Sequence, residues 1–311
     1  MNSIRIATRG SKLAITQSEY VGKLLSDLAG DVEITLVEIS TKGDRNNSDF
    51  LYKTQSVGFF ASEVENAVLE GRADLAVHSL KDLPTAITPG LQIAAIPQRE
   101  SVADALVVSG PSTSLESLPE GATVGTSSLR RIAQIKHIRN DLNCVPLRGN
   151  VETRVNKVDI GQVDGIVIAC AGMNRLGLSE KISAILPPEK FMPAPAQGAL
   201  AIQIRPDDRE LAELVSQFDD MRSRITARTE RQILSAMHGG CSIPLGVYSR
   251  IEDDNIKVDA MICDLEGKKY ITRAFNCPVT QAKACAEKLA EELLAAGGQE
   301  ILDKMRAERN D

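Results

Sequence analysis

A chain of 311 residues with 43% hydrophobic content has enough apolar material for two or three domains, each with its own core. Its net charge of −6 and its 3% aromatic content, with no Trp, exclude a nucleic-acid binder built on a basic surface or on base-stacking platforms. No apolar run approaches the length that spans a bilayer, and Gly165 to Met173, among the most apolar stretches, is far too short.

Met1 to Gly10 contains no apolar signal-peptide core and no cleavage pattern, so a cytoplasmic protein is expected. Ser3 to Thr8 reads as a strand. Ser11 can cap a helix whose face carries Leu13, Ala14, Val21, Leu24 and Leu25. Val32 to Ser40 is a second strand. Ser62-Glu63-Val64-Glu65 has capping-box spacing and predicts a helix that Gly71 can stop. Asp74 to Ser79 is a short buried strand. This alternation predicts an α/β lobe with a largely parallel sheet.

A weak internal repeat follows. Asn66, Val68, Gly71, Asp74 and Val77 match Asn156, Val158, Gly161, Asp164 and Val167 at a constant offset. Ile6-Ala7-Thr8-Arg9-Gly10-Ser11 resembles Val124-Gly125-Thr126-Ser127-Ser128, again strand into helix. The two matches predict two similar lobes facing a cleft, with boundaries at Pro97 to Asp104 and at the proline-rich Pro187 to Gly198. After Thr226 the pattern changes. Leu245 to Arg250, Ile256 to Cys263 and Lys269 to Phe275 read as an antiparallel meander, followed by an amphipathic helix from Gln281 to Ala296.

The cations cluster where strands end. Gly125-Thr126-Ser127-Ser128-Leu129-Arg130-Arg131 places hydroxyls at a helix start and two arginines in its first turn. Backbone N–H groups, hydroxyls and guanidinium forks together suit a carboxylate or phosphate. Arg9-Gly10-Ser11-Lys12, Leu147-Arg148-Gly149-Asn150 with Arg154, and Arg175 repeat the arrangement. In open α/β sheets ligands bind beyond the carboxyl ends of strands. The pattern therefore predicts a ligand with several anionic groups, despite the negative net charge. His78-Ser79-Leu80-Lys81-Asp82-Leu83-Pro84 lies at another strand end. Asp82 there is either a surface loop residue or a carboxylate that assists a leaving amine and stabilises a developing cation.

The cysteines are Cys144, Cys170, Cys241, Cys263, Cys277 and Cys285, without a CxxC pair; with only three histidines, no metal site is expected. Cys241 follows His238-Gly239-Gly240 and precedes Pro244, on a turn rather than a periodic apolar face. It is either a small packed hydrophobe or a presented thiol. Two readings compete at this level: a non-catalytic two-lobed binding protein, and a thiol enzyme with Cys241 as nucleophile and His238 as base.

Taken together and in order, Ala7-Thr8-Arg9, His78-Ser79-Leu80-Lys81-Asp82-Leu83-Pro84, Gly125-Thr126-Ser127-Ser128-Leu129-Arg130-Arg131, Leu147-Arg148-Gly149-Asn150, Pro195-Ala196-Gln197-Gly198 and Gly239-Gly240-Cys241 resemble the porphobilinogen deaminase (hydroxymethylbilane synthase) family over essentially the whole chain. The resemblance implies an enzyme that condenses four porphobilinogen molecules head to tail into hydroxymethylbilane, with release of four ammonia, in tetrapyrrole biosynthesis. It implies a covalent dipyrromethane cofactor on Cys241, in thioether linkage, and a catalytic role for Asp82. Cofactor contacts are expected at Lys81, Asp82, Thr126, Ser127, Ser128, Arg130, Arg131, Arg148 and Gly149. Substrate contacts are expected at Arg9, Ser11, Arg148, Arg154, Arg175 and Gln197. The implied fold is two α/β lobes resembling type II periplasmic binding proteins, residues 1–99 with 200–217 and residues 105–193. A small α+β domain with a three-stranded antiparallel sheet, residues 222–311, follows. A cytoplasmic monomer that binds neither nucleic acid nor membrane is expected. Lys42 to Phe60 corresponds to a loop over the cleft, and Val57 stands where many members carry lysine.

Overall fold

The computed structural model describes residues 2–30, 32–41, 61–110, 114–237 and 243–310. The Lys42 to Phe60 loop reading, Cys241 and His238 lie outside the described residues. In chain order the first segment contains β1 (Ser3–Arg9), α1 (Lys12–Ala29), β2 (Glu33–Ile39), α2 (Ser62–Leu69), β3 (Leu75–Ser79) and β4 (Gln92–Ala95). The second contains β5 (Asp104–Val108), β6 (Thr123–Gly125), α3 (Leu129–Ile138), β7 (Asn143–Val145), α4 (Val151–Asp159), β8 (Gly165–Ala169), α5 (Cys170–Arg175) and β9 (Ala184–Leu186). Then come β10 (Leu200–Ile204), α6 (Arg209–Ser216), α7 (Met221–Ala236), β11 (Leu245–Glu252), β12 (Asn255–Cys263), β13 (Tyr270–Pro278), α8 (Ala282–Leu293) and α9 (Gln299–Asn310).

The chain divides into two units, changing over between Glu100 and Ser101, between Gln197 and Gly198, and between Ile225 and Thr226. The first unit is a five-stranded sheet in the order β2-β1-β3-β10-β4. β1 runs parallel to β2 and β3, while the returning β10 runs antiparallel to β3 and β4. Strand alternation sends Ile4, Ile6, Leu75, Val77, Ile202 and Ile204 to one face, where Val21 and Leu25 of α1 and Leu211 and Val215 of α6 cover them. Ala7 and Ala76 face the other way, onto Val64, Ala67 and Val68 of α2. α1 begins as predicted: Ser11 is the N-cap, and its side chain accepts from the Ala14 N–H at 3.4 Å. α2 does not begin as predicted. Ala61, not Ser62, is the N-cap, and it has no side-chain oxygen to cap with. Glu63 and Glu65 in the first turn instead favour the start through the helix dipole.

The second unit holds a sheet in the order β7-β6-β8-β5-β9, with β6 parallel to β7 and β8 and with β5 antiparallel to β8 and β9. The strand order and directions repeat those of the first sheet. The repeated residues explain why. Gly71 and Gly161 end α2 and the turn after α4, each in the left-handed region at φ +72° and +70°, where a Cβ is strained. Their N–H groups return to the carbonyls of Val68 and Val158 at 3.1 and 2.9 Å. The aspartate three residues on then clamps the neighbouring strand. Asp74 accepts from the Arg5 N–H at 2.8 Å and donates its own N–H to the Arg5 carbonyl at 2.9 Å. Asp164 does the same with Thr123, at 2.7 and 3.0 Å. One sequence pattern thus sets the register of strand entry twice.

The meander β11-β12-β13 forms a three-stranded antiparallel sheet. The β11–β12 turn is tight, Glu252 pairing with Asn255, with Asp253 at φ +53°. This sheet belongs to the same unit as the second five-stranded sheet. The contacts that join them are specific. The Val247 N–H donates to the Pro193 carbonyl at 2.9 Å, His137 of α3 bonds the Gly267 carbonyl through Nδ1 at 2.9 Å, and its ring stacks on Tyr270 at 4.1 Å. Met261 and Cys263 pack against Ala133 and Met192.

Candidate functional site

In the first unit, parallel pairing brings the C-terminal ends of β1 and β3 side by side. β1 ends in the half-buried Arg9, and Ser11 follows as the α1 cap. β3 runs directly into a single 3-10 turn, Leu80–Asp82. Leu80 is fully buried and anchored by its N–H to the Ala199 carbonyl at 3.0 Å, so the turn is fixed from below. Lys81 is half-buried and Asp82 exposed. Arg9, Gln17, His78, Ser79 and Asp82 line one concavity with Ala14, Ala61, Val64 and Val77. Gln17 and Ser79 fix its wall by exchanging hydrogen bonds at 3.0 and 3.3 Å.

In the second unit, the same logic gathers the ends of β6, β7 and β8. The hydroxyl run after β6 does not cap α3 as predicted. Ser128 is the N-cap without a side-chain capping bond. Thr126 Oγ1 accepts from the Ser128 N–H at 3.3 Å, and Ser127 clasps the β7 segment, its Oγ donating to the Leu147 carbonyl at 2.9 Å and accepting from the Leu147 N–H at 3.1 Å. That clasp sets the adjoining Arg148-Gly149. Gly149 has φ +114°, and a Cβ there would lie 2.8 Å from Thr153 Cγ2. Asn150 caps α4 by accepting from the Thr153 N–H at 2.8 Å. Arg154 is oriented by its Nε donating to the Gly149 carbonyl at 2.8 Å. Arg148 carries a buried Nη2 without a hydrogen-bond partner. Arg175 closes α5, after β8.

Arg130 and Arg131 lie in the first turn of α3, as their position predicts, and meet a protein carboxylate there. Both are buried on one carboxylate, Asp104, which opens β5 and is 0% exposed. Arg130 Nη1 donates to Oδ2 at 2.8 Å and to the Met192 carbonyl at 2.6 Å. Arg131 donates to Oδ1 through Nε at 3.2 Å and Nη2 at 2.7 Å, and to the Val167 carbonyl through Nη1 at 3.0 Å. Gln197, fully buried, adds an amide N–H to Oδ1 at 2.9 Å and another bond to the Val102 carbonyl at 2.8 Å. Burial pushes the Asp104 carboxyl up, but the two guanidinium groups outweigh it and hold the group well below the usual carboxylate range. Burial lowers Arg130, with Asp104 opposing.

Asp104 was not singled out from sequence. Its signal is present: a lone acid at the head of the apolar strand Ala103-Asp104-Ala105-Leu106-Val107-Val108, where an unpaired charge is untenable. A second missed residue is Glu230 of α7, also 0% exposed. It accepts from the Ala196 N–H at 2.6 Å and from the Ser249 N–H and hydroxyl at 3.1 and 2.6 Å. It thereby holds Ala196 at φ +61°, the residue before Gln197.

A family model described as porphobilinogen deaminase, dipyromethane cofactor binding domain, matches residues 4–213, and the C-terminal domain model of the same family matches residues 224–295. The chain belongs to the porphobilinogen deaminase family. A porphobilinogen deaminase from Maridesulfovibrio salexigens is 44% identical over 98% of this chain and 99% of its own length. Another, from Syntrophomonas wolfei, is 40% identical over 98% of this chain and all of its own. Among solved structures, a TRAP periplasmic solute binding protein from Desulfovibrio salexigens aligns at 13% identity and TM-score 0.42 over 74% of this chain and 75% of its own. The chain is thus an enzyme of the porphobilinogen deaminase type, and the region holding both five-stranded sheets is its dipyrromethane-binding domain. No described helix is long and apolar enough to cross a membrane, and among the described residues no His, Cys, Asp and Glu cluster is suited to a metal ion.

Proposed function

We propose that this chain condenses four porphobilinogen molecules into hydroxymethylbilane, with loss of four ammonia, on a dipyrromethane attached through Cys241. The observation that carries the reading is the arrangement of charge in a family member. Asp82 and Arg9 share one concavity in the first unit, and Arg148, Arg154 and Arg175 close the parallel strand ends of the second. Porphobilinogen and its oligomers carry an acetate and a propionate on every ring, and guanidinium forks bind such carboxylates bidentately. The buried, unmatched Nη2 of Arg148 fits a carboxylate-bearing cofactor, because an orphaned donor of this kind is satisfied by an anion.

In this proposal Arg148, Gly149, Lys81, Thr126, Ser127 and Ser128 hold the dipyrromethane. Arg9, Ser11, Arg154 and Arg175 hold substrate carboxylates. When bound, the dipyrromethane supplies the pyrrole terminus to which substrate is joined. Asp82 faces the aminomethyl group of porphobilinogen. Its carboxylate holds the ammonium form of the leaving group and then stabilises the positive charge left on the substrate ring as ammonia departs. Arg130 and Arg131 act through Asp104: two cations on one anion leave a net positive charge at the start of α3, and Gln197 keeps that carboxylate in place. The chain is proposed to work as a cytoplasmic monomer, a setting that keeps the Cys241 thiol reduced for attachment; light scattering on the purified protein checks the oligomeric part.

The decisive experiment is the intact mass of the purified protein followed by peptide mapping. A mass excess equal to two linked pyrrole units on the Cys241 peptide supports the proposal. A protein that stays unmodified and inactive after incubation with porphobilinogen or hydroxymethylbilane overturns it.

A further inference from the structure

His78 closes β3 one residue before the end of the strand, and its ring lines the same concavity as Arg9 and Asp82. The residue is 8% exposed, and its Nε2 is buried without a hydrogen-bond partner. An unmatched buried polar atom forfeits its water partner without replacing it. Behind the ring, β10 presents Gln203, within interacting distance and 1% exposed. Gln203 donates its amide N–H to Glu65 Oε1 at 2.9 Å, while its own Oε1 is buried and unmatched. Glu65 of α2, 5% exposed, also accepts from Thr88 Oγ1 at 2.9 Å. The polarity therefore runs one way: hydroxyl and amide donors converge on Glu65, which turns the Gln203 carbonyl oxygen toward the imidazole.

The charged groups that face the ring are Glu65 from α2 and Asp82 from the 3-10 turn, with Arg9 from β1 on the shared concavity. Burial pushes His78 below the ordinary histidine range, against opposing pushes from Glu65, Gln203 and Asp82. Burial thus favours the uncharged ring despite two neighbouring carboxylates.

We propose that His78 is a positioning residue for Asp82: an uncharged wall of the concavity that leaves the Asp82 carboxylate to face the substrate's developing cation. An imidazolium at the same place would compete for that carboxylate and slow turnover. The inference rests on the Asp82 role proposed above.

The test uses the cofactor-loaded enzyme with porphobilinogen as substrate. kcat is measured from about pH 5 to 8, and imidazole titrations are followed by NMR with labelled histidine. Only His78, His137 and His238 contribute, so variants at the other two assign the His78 signal without altering His78. The expected result is an acid limb in kcat whose midpoint lies below ~6.5 and coincides with the His78 titration. Glu65→Gln removes a carboxylate that favours the charged ring, so the limb and the NMR midpoint move together to lower pH. His78→Gln, uncharged across the whole range, flattens the limb. A limb that stays at the same midpoint in His78→Gln, or an NMR midpoint unrelated to kcat in the unaltered enzyme, overturns the proposal. Full turnover in Asp82→Asn would instead overturn the Asp82 role, whatever the His78 titration shows.

Discussion

Replacing Asp104 by Asn tests whether the buried cluster supports the second unit. Asn keeps the size and can still accept from Gln197, but it removes the charge shared by Arg130 and Arg131. Three hydrogen bonds from the two guanidinium groups lose their anionic acceptor, at 2.8, 3.2 and 2.7 Å. Summed at about 1.5–3 kcal/mol each they would give 4.5–9 kcal/mol, an upper bound because bonds sharing one carboxylate are not additive. Removing one partner of a buried pair costs about 3–5 kcal/mol, since the other charge is left without compensation. We expect about 4 kcal/mol, which for a unit of this size is a fall in Tm of roughly 8–16 °C by calorimetry. The pH dependence supplies an internal control. The folded-state carboxyl lies below its unfolded value, so Asp104 stabilises fully above about pH 4 and loses this contribution as pH falls through its depressed folded value. The variant should lose that part of the acid sensitivity. A Tm within about 3 °C of the parent would refute the reasoning and show that the arginines do not depend on Asp104.

Asp82→Asn should retain the cofactor by intact mass yet lose turnover by about 10²-fold or more in kcat, the scale of removing one electrostatic stabiliser of a transition state; near-parental kcat would remove Asp82 from the mechanism. Cys241→Ser should yield folded protein without covalent pyrrole, and normal turnover by that protein would contradict the anchor role. Gly149→Ala should cost about 1–3 kcal/mol, because the left-handed φ and the Thr153 contact both penalise a Cβ; urea denaturation that finds no loss would show that the Arg148 turn relaxes freely. Arg148→Leu should impair cofactor assembly, read by mass, with Tm kept within a few degrees, since its Nη2 has no protein partner to lose.

Much of the fold was legible in the sequence because the signals were local. Alternating apolar residues and the Gly–Asp strand entries are consequences of neighbouring residues, and the strands predicted at Ser3, Asp74, Leu245 and Ile256 lie where the structure has β1, β3, β11 and β12. The capping box at Ser62 failed because its spacing also fits a helix already one residue under way. The strand-end cations were legible as a class, but their partners were not. Arg148 and Arg154 lie at open strand ends, whereas Arg130 and Arg131 are taken up by a residue more than twenty positions earlier. Nothing in Ser127-Ser128-Leu129-Arg130-Arg131 announces that partner. The union of the three-stranded sheet with the second unit was hidden for the same reason, since it depends on pairs such as His137 with Gly267.

The repeat explains how the two lobes could diverge in chemistry while sharing a backbone. On the crossing strand of the first sheet, Leu200 stands opposite Ser79; in the second, Asp104 stands opposite Ala169, the residue at the repeat offset from Ser79. Leu200 belongs to an apolar core, whereas Asp104 binds two arginines from the helix after β6. The strand order is held by features common to both lobes, the Gly71 and Gly161 stops and the Asp74 and Asp164 clamps. Those features leave the crossing-strand position unconstrained, so one lobe can keep a hydrophobe there and the other a buried charge. A change confined to the clamps should therefore destabilise either lobe in the same way. A change at Leu200 or Asp104 should have consequences peculiar to one, and polar substitution at Leu200 should be costly, because α1 offers no buried cation to receive it.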